Sequence, residues 1–424
     1  LVLGRMTDLV SITATAIAIG LLESGIRWNT GDVQLASPIL AALIVAALVL
    51  QRRGVTRAER EDTSTWEQLR EVRPVPRELA VLPEVRASRV LLTVALGAIV
   101  LLGPLAMGTN GQLKAGIVVI FAIVGTSVVA LTGWSGQVSL GQMAFVGVGA
   151  AVGAWGTVEH GWDPLTSMVV AGFAGAVVAV LVGLPALRLR GLYLAVTTLA
   201  LSLAASEWVF SNRALDWIPS GSFARPALLH RIELDSPLRR YYLSVAVLVL
   251  VLVALRGVRR SRSGRVLLAL RDNEAGVVAY GVHPVRARLA AFAVSGFVAA
   301  VAGVLLVVHQ GSFRPVTYEP HESLAVFIAT VIGGLGSLLG AVTGAVFQRG
   351  AQWLLPAPWS YLATGLGVLV VLVVLPDGLG GAVFRMRDAA LRRLGRRRGI
   401  GTLALDRGAG AQVEDEVDDR EAVA

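Results

Sequence analysis

The chain contains no cysteine, a single lysine at Lys114, and only 16% charged residues. The missing cysteine excludes disulfide scaffolds, thiol catalysis and thiolate metal sites together. Five scattered histidines supply no ligand spacing. No G-x-x-x-x-G-K-[ST] sequence occurs and Lys114 stands outside any glycine-rich loop, so this chain has no P-loop with which to hold ATP phosphates. Enzyme motifs that come near fail on spacing: GWSGQ at 133–137 lacks the second glycine of G-x-S-x-G, and GVGAAVG at 147–153 has the wrong intervals for G-x-G-x-x-G. The opening LVLGRMTDLV has neither the basic n-region nor the cleavage site of a signal peptide. What is abundant is apolar: 55% of 424 residues are hydrophobic and the mean hydropathy is +0.68, the composition of a polytopic helical membrane protein.

The formal net charge of +9 is almost wholly arginine, gathered at 52–89, 256–288 and 385–398 between apolar runs. That is the pattern of cytoplasmic loops under the positive-inside rule, and it explains the charge better than a nucleic-acid partner does. Apolar runs at 8–26, 35–51, 90–107, 115–133, 138–157, 164–187, 191–211, 241–256, 288–308, 323–333, 337–355 and 359–375 read as spans or half-spans. The expected fold is all-α, with broken or re-entrant helices. With the polar segment 52–88 as a cytoplasmic linker, alternate threading places 212–240 outside, 257–287 inside and 309–322 outside. The parity closes only if 323–333 and 337–355 are separate limbs around GGLGS. One loop resists the rule: 212–240 carries Arg213, Arg225, Arg231, Arg239 and Arg240 although it threads to the outside. Residues 385–424 read as a basic, then acidic, disordered cytoplasmic tail.

Two apolar stretches are interrupted by glycine, GWSGQVSLGQMAFVGVGA at 133–150 and GGLGSLLGAVTGAV at 333–346. At membrane depth, irregular backbone is tolerated only where protein covers it or it lines a wet cavity. Paired interruptions in two halves of a chain point to a transport path, with Ser135, Gly136, Gln137, Ser139, Gly141 and Gln142 from the first and Gly333, Gly334 and Gly336 from the second as candidates. Helix packing is the competing reading, because Gly149 and Gly153, and Gly336, Gly340 and Gly344, follow small-xxx-small spacing. A polar segment at 256–289 is too charged to span and carries a short amphipathic turn on Val266, Leu267, Leu270, Val277 and Val278. It presents Arg271, Asp272, Asn273, Glu274 and Ala275 ahead of Gly281, either to a groove on a separate motor protein or to lipid headgroups. Glu207, and less convincingly Glu23, are the carboxylates read within apolar runs, and Glu207 beside Trp208 reads as interfacial rather than as a proton relay.

Five ordered matches carry a resemblance: GWSGQVSLGQMAFVGVGA, RGLYLAVTTLAL at 190–201, LRDNEAGVVAYGV at 270–282 with the apolar span that follows, ESLAVFIATVIGGLGSLLGAVTGAVF at 322–347, and LPDGLGG at 375–381. With them the chain resembles the permease subunits of branched-chain amino acid ABC importers, most closely the LivM type over 89–384. Residues 1–51 are similar to the C-terminal end of a LivH-type half, so the expectation is a fused LivH-like remnant of two spans followed by the linker. The resemblance implies a multi-pass protein of the bacterial plasma membrane that works with a LivH-like half, two ATP-binding subunits and an extracytoplasmic solute-binding protein. It implies that ATP is used by those partners, that no cofactor or metal is bound by this chain, and that 271–281 is the ATPase coupling loop. It leaves open urea or short amides as solutes beside amino acids. A self-sufficient carrier or channel is the alternative from another class.

Overall fold

The computed structural model describes residues 9–30, 82–187, 191–211, 217–219, 221–223, 227–229, 231–375 and 378–397, with single positions at 39, 43 and 225. Apart from 39 and 43, the expected span at 35–51 lies outside the described residues, as do 52–81 of the linker and 398–424 of the tail. The described residues are helical, with two isolated β-bridges and no strand among them. Among the described residues fourteen α-helices follow in order: α1 Leu9–Thr30, α2 Pro83–Leu102, α3 Thr109–Val128, α4 Gln142–His160, α5 Pro164–Ala186, α6 Leu192–Ala204, α7 Pro237–Arg260, α8 Arg262–Asp272, α9 Glu274–Ala279, α10 Pro284–Gln310, α11 Pro320–Gly333, α12 Leu338–Leu354, α13 Ala357–Val374 and α14 Gly378–Arg397. Five helical stretches among the described residues are long and apolar enough to cross a membrane, and α11 with α12, bent by 118° at their junction, make a sixth apolar unit.

The core is built on α10. Its apolar window is 83% buried, against 6% for the stretch Pro83–Ala106, so two equally greasy segments occupy opposite environments. What separates them is side-chain size at the contact. Gly149 of α4 lies on the Ala300 carbonyl of α10, Gly303 of α10 lies on the Val146 carbonyl of α4, and Gly175 of α5 faces Gly296 of α10. Without Cβ atoms the backbones approach to dispersion distance, the means by which helices associate where lipid removes any hydrophobic gain. The small-residue spacing of 149–153 therefore does packing work. By contrast α2 buries no side chain and is held to α7 by two hydroxyls, Tyr241 Oη donating to the Val100 carbonyl at 2.9 Å and Tyr242 Oη to the Leu101 carbonyl at 2.7 Å. Its leucines and valines face outward.

Three expectations from composition are corrected. Helix α2 begins at Pro83, inside the expected linker, because a proline in the first turn has its φ preset and Glu84 suits the helix N-terminus. Residues 378–397 form α14, so the expected tail at 385–424 opens as helix, built from Ala, Leu, Met and Arg, all strong helix formers. Helix α4 starts at Gln142 rather than 138, since 136–141 is irregular.

Two of the anomalous arginines of 212–240 find their reason here. Arg240 Nη1 donates to the His309 carbonyl at 2.6 Å and Arg225 Nε to the Val308 carbonyl at 3.3 Å. Both carbonyls belong to the last turn of α10, where they have no partner within the helix and where the dipole favours cations. These charges serve a helix end, and they do not report on orientation. Trp155, Trp162 and Trp217 cluster at the same end, with Trp155 centroids 5.6 and 5.9 Å from the other two, like an interfacial aromatic girdle.

Replacing Gly149 with alanine is expected to destabilise the protein by about 1–3 kcal/mol through overpacking. Gly97→Ala, at a helical position with nothing within 4 Å, is expected to be neutral or to gain up to about 1 kcal/mol from helix propensity. Thermal unfolding in detergent ranks the two; equal melting temperatures contradict the interlocked core.

Candidate functional site

Helix α3 does not end cleanly. Its last residues widen into a π-helical turn, Val129–Gly133, after which Gly136 adopts a left-handed φ of +68° and its N–H closes on the Thr132 carbonyl at 3.1 Å. The chain then runs without regular structure until Gln142 opens α4. Such a break frees backbone groups, and two of the freed N–H groups acquire partners from distant elements. Leu140 N donates to Thr198 Oγ1 of α6 at 2.9 Å, and Met143 N donates to Ser323 Oγ of α11 at 2.9 Å. Gln142 Nε2 donates to Ser127 Oγ of α3 at 2.9 Å and to Ser295 Oγ of α10 at 2.6 Å, while Ser295 Oγ donates to the Ser127 carbonyl at 2.9 Å.

The side chains of Ser135, Gln137, Ser139 and Gln142 are all buried. Ser135 Oγ turns back to the Leu131 carbonyl of its own helix, and the Gln137 carbonyl accepts from Thr132 Oγ1 at 3.1 Å. Gly141 is pressed on the Thr198 carbonyl.

The second interruption forms the tip of a hairpin. Gly334 has φ +109° and Ser337 caps α12 by accepting from Gly340 N at 2.8 Å. Gly333 faces the backbone of Gly340 and Gly344, so the spacing of 340 and 344 packs the two limbs against each other, with Gly336 half-buried in the turn. Gly378 and Gly380, at the start of α14, seat on this tip. The two interruptions meet: the Leu335 carbonyl lies directly against Gly133.

The polar segment of 256–289 reaches the same place. Ser261 caps α8, accepting from Gly264 N at 3.3 Å, and Asn273 caps α9, accepting from Gly276 N at 2.9 Å. Between them Arg271, its side chain 10% exposed, donates from Nη1 to the Gly133 carbonyl at 2.7 Å and from Nε to Asp272 Oδ1 at 2.8 Å. Glu274 pairs with Arg288 of α10 at 3.0 Å. Arg271 and Glu274, expected to set register on a partner, instead tie the segment to its own bundle. What faces outward is Asp272, Asn273, Ala275, Val278, Ala279, Tyr280 at 90% exposure, and Gly281, whose φ of +79° ends α9. The arginine-rich α7 end, α8 and α14 thus gather where both broken segments meet, and the positive-inside rule makes that end cytoplasmic.

Toward the opposite end lies a cavity of ≈ 700 Å³ between α3, α10, α11 and α12, walled by Ile117, Phe121, Leu306 and Phe313. None of the residues of 133–142 or 333–336 lines it. Arg349 of α12 lies at its base, with Nη2 donating to Glu322 of α11, Nη1 to Gln352 Oε1 at 2.7 Å, and its Cζ 3.6 Å from the centre of the Phe121 ring. Phe313 stacks on Tyr318 at 5.2 Å, and burial pushes the Tyr318 phenol above its usual range. Sequence reading passed over Arg349 and Glu322. The signal was there for Arg349, a cation inside the apolar run 337–355, because an ionisable residue at membrane depth is a functional candidate by default.

Comparison with known proteins agrees with this architecture. Residues 92–375 match the family described as branched-chain amino acid transport system, permease component. The chain is 28% identical over 328 residues to the high-affinity branched-chain amino acid transport system permease protein LivM of Salmonella typhimurium (strain LT2), covering 70% of this chain and 77% of the relative. The LivM of Escherichia coli (strain K12) gives the same figures. The autoinducer 2 import system permease protein LsrC of Enterobacter sp. (strain 638) is 32% identical over 316 residues, covering 70% of this chain and 85% of that one. No solved structure matches the chain significantly. With its apolar helices, its two glycine-broken segments and this match over most of its length, the chain is a multi-pass membrane protein that belongs to the permease component family of branched-chain amino acid transport systems.

Proposed function

We propose that this chain is one membrane half of an ATP-driven importer for branched-chain or other hydrophobic amino acids, working with a LivH-like half, two ATP-binding subunits and an extracytoplasmic solute-binding protein. The observation that carries the reading is the hydrogen bond from Arg271 to the Gly133 carbonyl. A cytoplasmic segment with an exposed apolar tip at Val278 and Tyr280 is bonded through it to the point where both broken segments touch. Force applied to 271–281 by a motor protein reaches α3, α4 and the α11–α12 hairpin without passing through lipid. In this reading 133–142 and 333–336 act as the hinge of the path, and ATP is spent on the partner subunits, since no P-loop is available here.

A second reading of the solute is favoured by the LsrC relatives, named for autoinducer 2 import. ATP-driven uptake into proteoliposomes holding the complete transporter decides: leucine, isoleucine or valine accumulates under the amino acid reading, and autoinducer 2 under the other. Accumulation driven by an ion gradient, with this chain alone and no ATPase, contradicts the importer reading altogether.

Arg271→Met keeps the bulk and removes a charge-assisted hydrogen bond of about 1.5–3 kcal/mol, so solute moved per ATP is expected to fall about tenfold while the ATPase still co-purifies. Tyr280→Asp, on the outward face, is expected to release the ATPase instead. Loss of co-purification in the first variant and retention in the second would reverse the assignment of inner and outer faces.

A further inference from the structure

Beyond the hinge, the cavity at the opposite end carries chemistry that the coupling segment does not need. Arg349 lies beside Phe121, which is about half-way along α3, so at ~1.5 Å per residue the Arg349–Glu322 pair lies well inside the span. With side-chain exposures of 10% for Arg349 and 21% for Glu322, two opposite charges are largely withdrawn from water there, which is unfavourable, and replacing such a pair by apolar residues is often neutral or stabilising, so stability is a weak reason for it to exist.

The pair is also incompletely satisfied. Arg349 Nε has no hydrogen-bond partner, and Gln310 Oε1, on the same cavity wall, has none either. Glu322 has a second polar neighbour, His321 Nε2 at 3.7 Å from its Oε1. Arg349 is fixed independently of Glu322 by Gln352 and by the Phe121 ring. A donor held in place and a carboxylate with a second polar neighbour therefore face a chamber of ≈ 700 Å³ with apolar walls at Ile117, Phe121, Leu306 and Phe313, which Arg314, Thr317 and His321 also line.

Resting on the importer reading, we propose that this cavity is a solute subsite within the permease, which recognises the two charges of a zwitterionic α-amino acid by opening the Arg349–Glu322 pair. The solute carboxylate takes Arg349, the ammonium takes Glu322 and Gln310 Oε1, and the apolar side chain lies on the hydrophobic walls. The solute thereby replaces each half of the ion pair with an opposite charge of its own, so neither charged group is left uncompensated during passage. A solute with one charge leaves one member of the pair stranded.

The test uses the complete transporter in nanodiscs without its binding protein. Bound radiolabelled leucine is displaced by unlabelled leucine, by 4-methylpentanoate, which lacks the ammonium, or by isoamylamine, which lacks the carboxylate. Each single-charge analogue is expected to compete about tenfold or more weakly than leucine. Glu322→Gln is expected to bring 4-methylpentanoate level with leucine and leave isoamylamine poor. Because that variant leaves Arg349 unpaired, Val316→Trp is measured beside it; Val316 lines the cavity and is 67% exposed, so it stands on the open side of the chamber, where an indole obstructs the way in. It is expected to abolish leucine binding while the transporter stays assembled. Equal competition by all three compounds, or unchanged leucine binding in Val316→Trp, overturns the subsite while ATP-driven leucine uptake still stands. Absence of that uptake in the unaltered transporter overturns the amino acid reading and the subsite with it.

Discussion

Backbone polar groups inside hydrocarbon need partners, and the structure turns on how that need is met at Gly133. The π-helical turn that ends α3 leaves the Gly133 carbonyl outside its helix, and a guanidinium 138 residues further along the chain supplies the bond. A continuous helix would have satisfied the carbonyl locally and left 271–281 as a detached surface loop. Because α3 is broken there, the cytoplasmic segment becomes part of the bundle's hydrogen-bond network.

The two ends of the bundle solve different problems with the same residue type. At the arginine-rich end, Arg271 and Arg288 join loops to helices, and glycine contacts bring Gly133, the α11–α12 tip and the start of α14 together. At the other end, Arg225 and Arg240 cap the carbonyls that terminate α10, while Arg349 holds a carboxylate beside open space. Between the ends, α10 is locked to α4 and α5 by backbone contact at Gly149, Gly303 and Gly296. Rigid packing of this kind transmits displacement because it has few ways to deform.

The residues that local pattern exposes were readable from the chain alone. Apolar length marked the spans, the arginine clusters marked one face, and glycine interruptions marked both breaks. Long-range pairing was not readable: Ser127, Gln142 and Ser295 converge from three helices, and no periodicity in any one of them signals the others. Arg271 and Glu274 illustrate the same limit. Their position on an amphipathic turn suggested outward charges, yet each side chain finds an internal partner that only the folded bundle brings near. Composition misled at 385–397, where a basic stretch of strong helix formers continues α14.

The absence of cysteine allows a clean measurement of the mechanical link. Spin labels on cysteines introduced at Tyr280, on the outward tip, and at Leu339, beside the hairpin turn, report the distance between the cytoplasmic segment and the junction of the broken segments through the ATP cycle of the complete transporter. A rigid connection through Arg271 keeps that distance the same in the nucleotide-free and ATP-trapped states, and loosens it only when Arg271 is replaced by methionine. A distance that changes on ATP binding in the otherwise unaltered chain would show that the cytoplasmic segment moves without the bundle, and would contradict the proposed link.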